Sequence, residues 1–362
     1  MTDVLPAVDL ERVVNLPDFE PLARLRMAAP AFDYVAGGSW DEVTLRESVD
    51  AWQRYRFVPR VLRDIAAIDV SGAFLGRRFP LPVAIAPMAV QALGHPHGEA
   101  EMVAGAAAAG VPYCLSTTSS LRLEDVAAAA PEGERWFQLY LVGGLRHSRE
   151  LVERAEAAGY RALVMTVDLP VLGWRERDQR SGFVLPPLPH IDPAGNEREK
   201  RYGGIQNQWT EGLTWARLDE VRGWSSMPLV VKGILAPDDA RRAVDAGAAA
   251  IVVSTHGGRQ LDRSIASADA LPTIVDVVAG RAEVWVDGGI RRGLDVAVAL
   301  ALGATGVLIG RPFYWALAAG GAAAVARAAD ILRAELALAL PLLGCASTKE
   351  LSRELLALPA KD

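Results

Sequence analysis

Eight short apolar runs recur between residues 81 and 311, and all but the first stop at a polar or glycine-bearing end. They read LPVAIAPMA (81–89), VPYCLS (111–116), RWFQLY (135–140), ALVMTVD (162–168), PLVVKGI (228–234), AIVVSTH (250–256), EVWVDGG (283–289) and GVLIGR (306–311). Runs that are apolar without alternation fit strands buried on both faces, as in a parallel sheet. Ala-rich helical stretches at 98–109, 122–130, 147–158, 237–246, 268–279 and 292–302 separate most of them. Gly110, Gly159, Gly247, Gly280 and Gly303 stand where those helices should stop. An α/β unit of roughly 20 to 35 residues repeated eight times is the pattern of a (β/α)8 TIM barrel. A doubly wound open sheet is the alternative, but no GxGxxG follows the first run.

The barrel occupies 81–362 in this reading, and residues 1–80 form an N-terminal helical preface packed on it, with PAFDYVAGG (30–38) its most distinctive piece. The period breaks once, where about sixty residues separate the fourth and fifth runs. That insertion includes FVLPPLPHIDPAGNEREKRYGGIQNQW, rich in Pro, Gly and charge. A long, lid-like loop after strand 4, over residues 176–214, is therefore expected above the C-terminal face.

A composition of 51% hydrophobic and 23% charged residues suits a soluble globular protein. The net charge of −6 gives no electrostatic reason to expect nucleic acid. Cys114 and Cys345 lie far apart in apolar or small-residue settings, which argues against a disulfide framework and for a reducing compartment. The opening MTDVLPAVDLERVVN carries acids where a signal peptide needs basic residues and an apolar core. The longest uncharged stretches contain Pro, Gly, Ser and Thr, so no membrane span is expected and the cytoplasm is the expected location.

A barrel of this kind gathers its chemistry at the C-terminal ends of its strands. The run ends supply Met88 and Ala89, Ser116, Gln138 and Tyr140, and Thr166 and Asp168. The later ones supply Lys232, His256, Asp287 with Gly288 and Gly289, and Gly310 with Arg311. Any one of these is unremarkable as a loop residue; eight ends in succession argue for a site. STHGGRQLD (254–262) is the most specific segment. His256 offers a group that exchanges a proton near neutral pH. Arg259 offers a planar fork for a carboxylate, and the glycine pair admits a flat ligand close to the backbone. Together they point to proton chemistry on an acid-bearing substrate. A neighbouring carboxylate raises an imidazole pKa, so Asp168 is expected to favour protonated His256; a helix-capping Asp is the alternative. His95 and His97 lack carboxylate or thiol companions at ligand spacing, so no metal is expected. His147 reads as a solvated helix residue, and Trp174, next to Arg175, as a neighbour of the pocket rim.

With FDYVAGG (32–38), FQLY (137–140), TVDLP (166–170), VKGIL (231–235), DGGIRRG (287–293) and IGRP (309–312) added to STHGGRQLD, the chain resembles the FMN-dependent α-hydroxy acid oxidase and dehydrogenase family over nearly its whole length. That family includes glycolate, lactate and mandelate-oxidising enzymes. The resemblance implies FMN as cofactor and His256 as catalytic base paired with Asp168. Arg175 and Arg259 would grip the substrate carboxylate, with Tyr140 and Tyr34 on its hydroxyl and carboxylate. Lys232 would face the pyrimidine end of the flavin, where a cation stabilises charge that develops on reduction. Ser116, Gln138 and Thr166 would bond the ring, near Met88 and Ala89, and Asp287 the ribityl chain. Gly289, Arg291, Gly310 and Arg311 would hold the phosphate, at the usual barrel phosphate site, and Gly288 would also contact the cofactor. The implied reaction is oxidation of an (S)-2-hydroxy acid to the 2-oxo acid.

Thr118 stands where short-chain glycolate oxidases of the family carry a bulky aromatic residue, which implies room for mandelate, 4-hydroxymandelate or another bulky acid. The pattern of AGG (36–38), GHPHGE (94–99) and HGGRQLD (256–262) is most similar to mandelate or 4-hydroxymandelate oxidase-like members. Thr255 departs from the family's usual Asn. Oxygen is the expected electron acceptor and a homotetramer the implied assembly. The alternatives are a short-chain lactate or glycolate oxidase, a quinone- or protein-linked dehydrogenase, an FMN barrel enzyme acting on a peptide-derived substrate, and a non-catalytic flavin-binding scaffold.

Overall fold

A computed structural model describes residues 8–191 and 212–357. Its centre is a closed barrel of eight parallel strands: β1 (Val83–Ile85), β2 (Tyr113–Ser116), β3 (Arg135–Leu139), β4 (Leu163–Thr166), β5 (Leu229–Ile234), β6 (Ala250–Val253), β7 (Glu283–Asp287) and β8 (Gly306–Ile309). Closure is made where Val307, Leu308 and Ile309 of β8 pair with Val83, Ala84 and Ile85 of β1. The chain is therefore an α/β protein with a (β/α)8 TIM barrel.

The unalternating runs have a direct cause. Successive side chains on a strand point to opposite faces, and here both faces are buried. On β2, Tyr113 and Leu115 join the layer under the helices, while Cys114 joins a separate core inside the barrel. Trp136, Val164, Val230, Val252, Trp285 and Leu308 fill the same interior. Trp136 and Trp285 stack at 4.9 Å, and Phe74 meets their edges at 5.4 and 5.2 Å. Phe74 belongs to a hairpin, Gly72–Phe74 with Arg77–Phe79, that plugs the floor of the barrel. The preface is thus not wholly helical.

The rest of the preface is α1 (Phe19–Arg26), α2 (Ala29–Ala36) and α3 (Val43–Gln53). Around the barrel run α4 (Gly98–Ala109), α5 (Leu123–Ala129), α6 (Leu145–Ala157), α7 (Glu176–Ser181), α8 (Trp215–Arg222), α9 (Pro237–Asp245), α10 (Ser267–Val278), α11 (Gly293–Ala301) and α12 (Arg311–Leu343). Two helices lie in or beside the expected long loop: α7 opens it and α8 follows it. Residues 192–211 of that loop lie outside the described residues. By length and apolarity alone α12 could cross a membrane. It is broken at Gly320 and Gly321, however, and most of it is buried, packed against α1, α4 and α11.

Candidate active site

Two residues above the interior core, the same inward phase of each strand turns polar. Cys114 is followed by Ser116, Trp136 by Gln138, Val164 by Thr166, Val230 by Lys232, Val252 by Ser254 and Trp285 by Asp287. All six polar residues are buried. Burying them is tolerable only because they bond one another. Lys232 Nζ donates to Ser254 Oγ at 2.9 Å and pairs with Asp287 Oδ2 at 3.0 Å. Burial alone would lower the Lys232 pKa, but Asp287 and Asp168 outweigh it and hold the ammonium charged. Ser116 Oγ donates to Gln138 Oε1 at 3.0 Å, and Gln138 Nε2 donates to Thr166 Oγ1 at 3.1 Å. Among the described residues no acceptor takes the Thr166 proton, which leaves it for a ligand. Because the Ser116 proton is engaged, Thr118 is the donor in its 2.8 Å contact with Ser116 Oγ.

Above this floor, β6 runs into a left-handed turn in which His256, Gly257 and Gly258 have φ of 55°, 65° and 71°. A non-glycine residue held there costs on the order of 1–3 kcal/mol, and His256 is fixed by three partners. Its N–H donates to Ser254 Oγ at 3.0 Å, and its Nδ1 lies 2.8 Å from Asp168 Oδ1. Its Nε2 lies 3.2 Å from the Tyr140 hydroxyl. An ionised carboxylate only accepts, so Nδ1 carries the proton and Nε2 presents a lone pair. Burial raises the Asp168 pKa, yet the nearby His256 and Lys232 overcome that and keep it below the usual range. For His256, Asp168 raises the pKa as expected from the sequence, but burial, with Lys232 and Arg175 nearby, leaves it below the ordinary imidazole value. The free imidazole is therefore a neutral base. Burial also lifts the Tyr140 pKa far up, so its hydroxyl stays protonated.

The remainder of the STHGGRQLD segment is a hub. Arg259 Nη1 donates to Tyr34 O at 2.6 Å and Gly37 O at 2.9 Å. Gln260 clamps the loop after β4, donating to Asp168 O and Val171 O and accepting from Gly173 N. Asp262 caps α3 from outside, accepting from Thr44 N at 2.8 Å and Val43 N at 3.3 Å. Thr255 lies 3.5 Å from Ser48 Oγ on the same helix. The sequence reading gave no role to Gln260, Asp262 or Ser254. Ser254 was detectable, since it sits in phase with Lys232 two residues past an interior Val.

One cavity joins these groups. Of the residues singled out in the sequence, Tyr34, Met88, Ala89, Ser116, Thr118, Tyr140, Thr166, Arg175, Lys232, His256 and Arg259 line it. So do Asp287, Gly288, Gly289, Arg291, Gly310 and Arg311. Gln138 and Asp168 do not; each stands one layer behind, orienting residues that do. Trp174 is half exposed, lies off the lining and accepts from Trp40 N through its carbonyl. His147 is partly buried, 2.6 Å from His190 O through Nε2, and not simply solvated.

The residues fit FMN and an organic acid. Among the described residues no partner meets the buried Asp287 Oδ1, as expected of an acceptor awaiting a ligand hydroxyl. At Gly289 (φ 82°) a Cβ would stand 1.7 Å from Ser48 O, so only glycine lets the chain pass there. Arg175, Arg259, Arg291 and Arg311 converge on the cavity. Burial lowers the Arg291 and Arg311 pKa values, and for Arg311 the three neighbouring arginines lower it further. Such a cluster calls for anions at two places, a phosphate by Gly289 and Gly310 and a carboxylate by Arg175 and Arg259. Arg175 is 5% exposed, and among the described residues its guanidinium makes one hydrogen bond, Nε to Arg259 O at 3.4 Å, which leaves the rest of its fork for such a carboxylate.

Comparison with known proteins agrees. The family model described as FMN-dependent dehydrogenase matches residues 23–358. The chain is 46% identical over 356 residues to an L-lactate oxidase of Nostoc sp., covering 95% of this chain and 98% of that one. It is 45% identical over 343 residues to a 4-hydroxymandelate oxidase of Amycolatopsis orientalis, covering 92% and 95%. The crystal structure of mandelate oxidase with (S)-4-hydroxymandelic acid superposes with a TM-score of 0.89 at 43% identity, covering 95% and 98%.

Proposed function

The chain belongs to the FMN-dependent dehydrogenase family, an FMN enzyme oxidising 2-hydroxy acids, and from that premise we propose that its substrate is a bulky, apolar (S)-2-hydroxy acid of the mandelate type. The observation that carries this reading is the apolar part of the cavity lining. Ala89, Leu169, Leu172 and Leu185 supply it without a charge, and the Thr118 proton is turned onto Ser116. An aryl or branched alkyl group gains there by burial, at about 25 cal/mol per Å², whereas a charged side chain would meet no counterion among these four residues.

In this reading Arg175 and Arg259 take the carboxylate, and Tyr140 donates to an oxygen of the substrate. His256 Nε2 accepts the proton released from substrate, and Asp168 then faces the imidazolium. FMN, when bound, supplies the two-electron acceptor. Lys232 holds positive charge beside it, pre-set by Asp287 and Ser254, so no reorganisation is needed during the reaction. Oxygen as final acceptor and a cytoplasmic homotetramer belong to the same proposal. Both described cysteines are buried and unbridged, in keeping with a reducing compartment.

The likeness to an L-lactate oxidase favours a second reading, a short-chain substrate. Comparing kcat/KM for (S)-mandelate, (S)-lactate and glycolate, with peroxide formation in air as the signal, tests both. The proposal expects mandelate to lead; leadership of lactate or glycolate would replace it with the second.

A further inference from the structure

Arg311 opens α12 at the end of β8, beside the glycines and Arg291 of the phosphate end. A residue there for phosphate alone would leave its fork to the ligand. Arg311 instead spends three N–H groups on backbone. Its Nε donates to Val35 O, its Nη1 to Gly257 O and its Nη2 to Gly37 O, each at 2.9 Å. The three carbonyls belong to two segments distant in sequence. Val35 and Gly37 lie at the end of α2, directly after Tyr34. Gly257 is the middle of the left-handed turn between His256 and Arg259.

The two segments meet again at a shared acceptor. Gly37 O receives both Arg311 Nη2 and Arg259 Nη1, each at 2.9 Å. Ser39 N also donates to Gly258 O at 2.9 Å. One carbonyl thus stands between the guanidinium at the phosphate end and a guanidinium at the carboxylate end. We infer that Arg311 is a positioning residue for the substrate grip. By tying the end of α2 to the His256–Gly258 turn, it sets Tyr34, His256 and Arg259 relative to one another. It thereby couples the cofactor's phosphate end to the carboxylate end. This inference rests on the FMN and 2-hydroxy acid reading above. It separates Arg311 from Arg291, whose guanidinium, among the described residues, bonds only the adjacent Ile290 O at 3.0 Å.

The test uses Arg311→Lys with FMN in saturating excess and occupancy read from absorbance. Lysine keeps the charge but cannot hold three carbonyls in a planar fork. The probe is (S)-2-phenylpropionate, which has no hydroxyl to oxidise, titrated by its perturbation of the flavin spectrum. Arg311→Lys is expected to bind it about tenfold more weakly than wild type. Amides of 35–39 and 256–260 should also exchange hydrogen at least about tenfold faster in the FMN-loaded variant. A variant that needs more FMN, yet once loaded binds the probe with unchanged Kd and keeps wild-type exchange, would overturn the coupling and leave Arg311 a phosphate ligand only. If Arg311→Lys does not fold, exchange in wild type with and without FMN decides. Protection of both segments on FMN binding supports the coupling; protection of neither refutes it. Failure of wild type itself to bind the probe would count against the aryl-acid reading instead.

Discussion

Asp168 Oδ1 sits 2.8 Å from His256 Nδ1, and this contact fixes which nitrogen of the imidazole faces the cavity. The carboxylate comes from just past β4 and the imidazole from just past β6, 88 residues apart in sequence. Gln260 holds them in register by donating to Asp168 O at 3.0 Å. Burial makes the imidazole a weaker proton holder, and Asp168 opposes that effect. The base is neutral before reaction and acquires a compensating charge beside it afterwards.

Because His256 must be neutral to accept a proton, kcat/KM should rise with pH as it deprotonates. The apparent pKa of that limb should lie below the ordinary imidazole value of 6.5. Asp168→Asn removes the group that holds the pKa up, so the limb should move lower still. It also loses control of the tautomer, and kcat should fall by about a hundred- to ten-thousand-fold. A pH–rate profile of both proteins checks direction and size.

Thr118 lines the cavity with its proton engaged by Ser116. Thr118→Trp should fill the space an aryl group needs. The ratio of kcat/KM for (S)-mandelate over glycolate should drop by about 10- to 200-fold, the usual range for pocket-size discrimination. Steady-state kinetics on the two acids measures it.

Gly289→Ala would bring a methyl within 1.7 Å of Ser48 O at a φ of 82°. The loop after β7 or helix α3 would have to shift. A loss on the order of 4 kcal/mol is expected, seen as a lower Tm together with weaker FMN retention.

His190 is fully buried outside the site. Its Nε2 accepts from Leu123 N at 3.0 Å, and its Nδ1 lies 3.2 Å from Ser119 Oγ, which itself donates to Leu121 O. A second ring proton would face an N–H donor. Burial, with Arg154 nearby, lowers its pKa to about 4. The unfolded chain, with an ordinary value of 6.5, takes up a proton first as pH falls. Stability from this group is therefore complete above 6.5 and is lost toward 4, at about 1.4 kcal/mol per pH unit. Urea melts at pH 7 and pH 5 should show a smaller difference for His190→Gln than for wild type.

The barrel was legible because both faces of every strand are buried, which leaves eight unbroken apolar runs. The floor hairpin was not, since its turn places Leu75 at a φ of 50°, where leucine is unusual. Helix α8 went unread because eight residues beside a long insertion carry too little periodicity. The cavity lining followed from strand ends, whereas Gln260 and Asp262 act on partners up to 92 and 219 residues away. No local pattern announces such contacts. For a related reason, the sequence reveals the carboxylate that raises the His256 pKa but not the burial and the nearby Lys232 and Arg175 that leave it lowered.

The most direct test of the central claim is the anaerobic visible spectrum of wild type and His256→Ala after adding (S)-mandelate. The account predicts rapid loss of the oxidised-flavin band in wild type. In His256→Ala, FMN should stay bound and the loss should slow by at least about a hundredfold. Equal rates in the two proteins would contradict the assignment of His256 as the base.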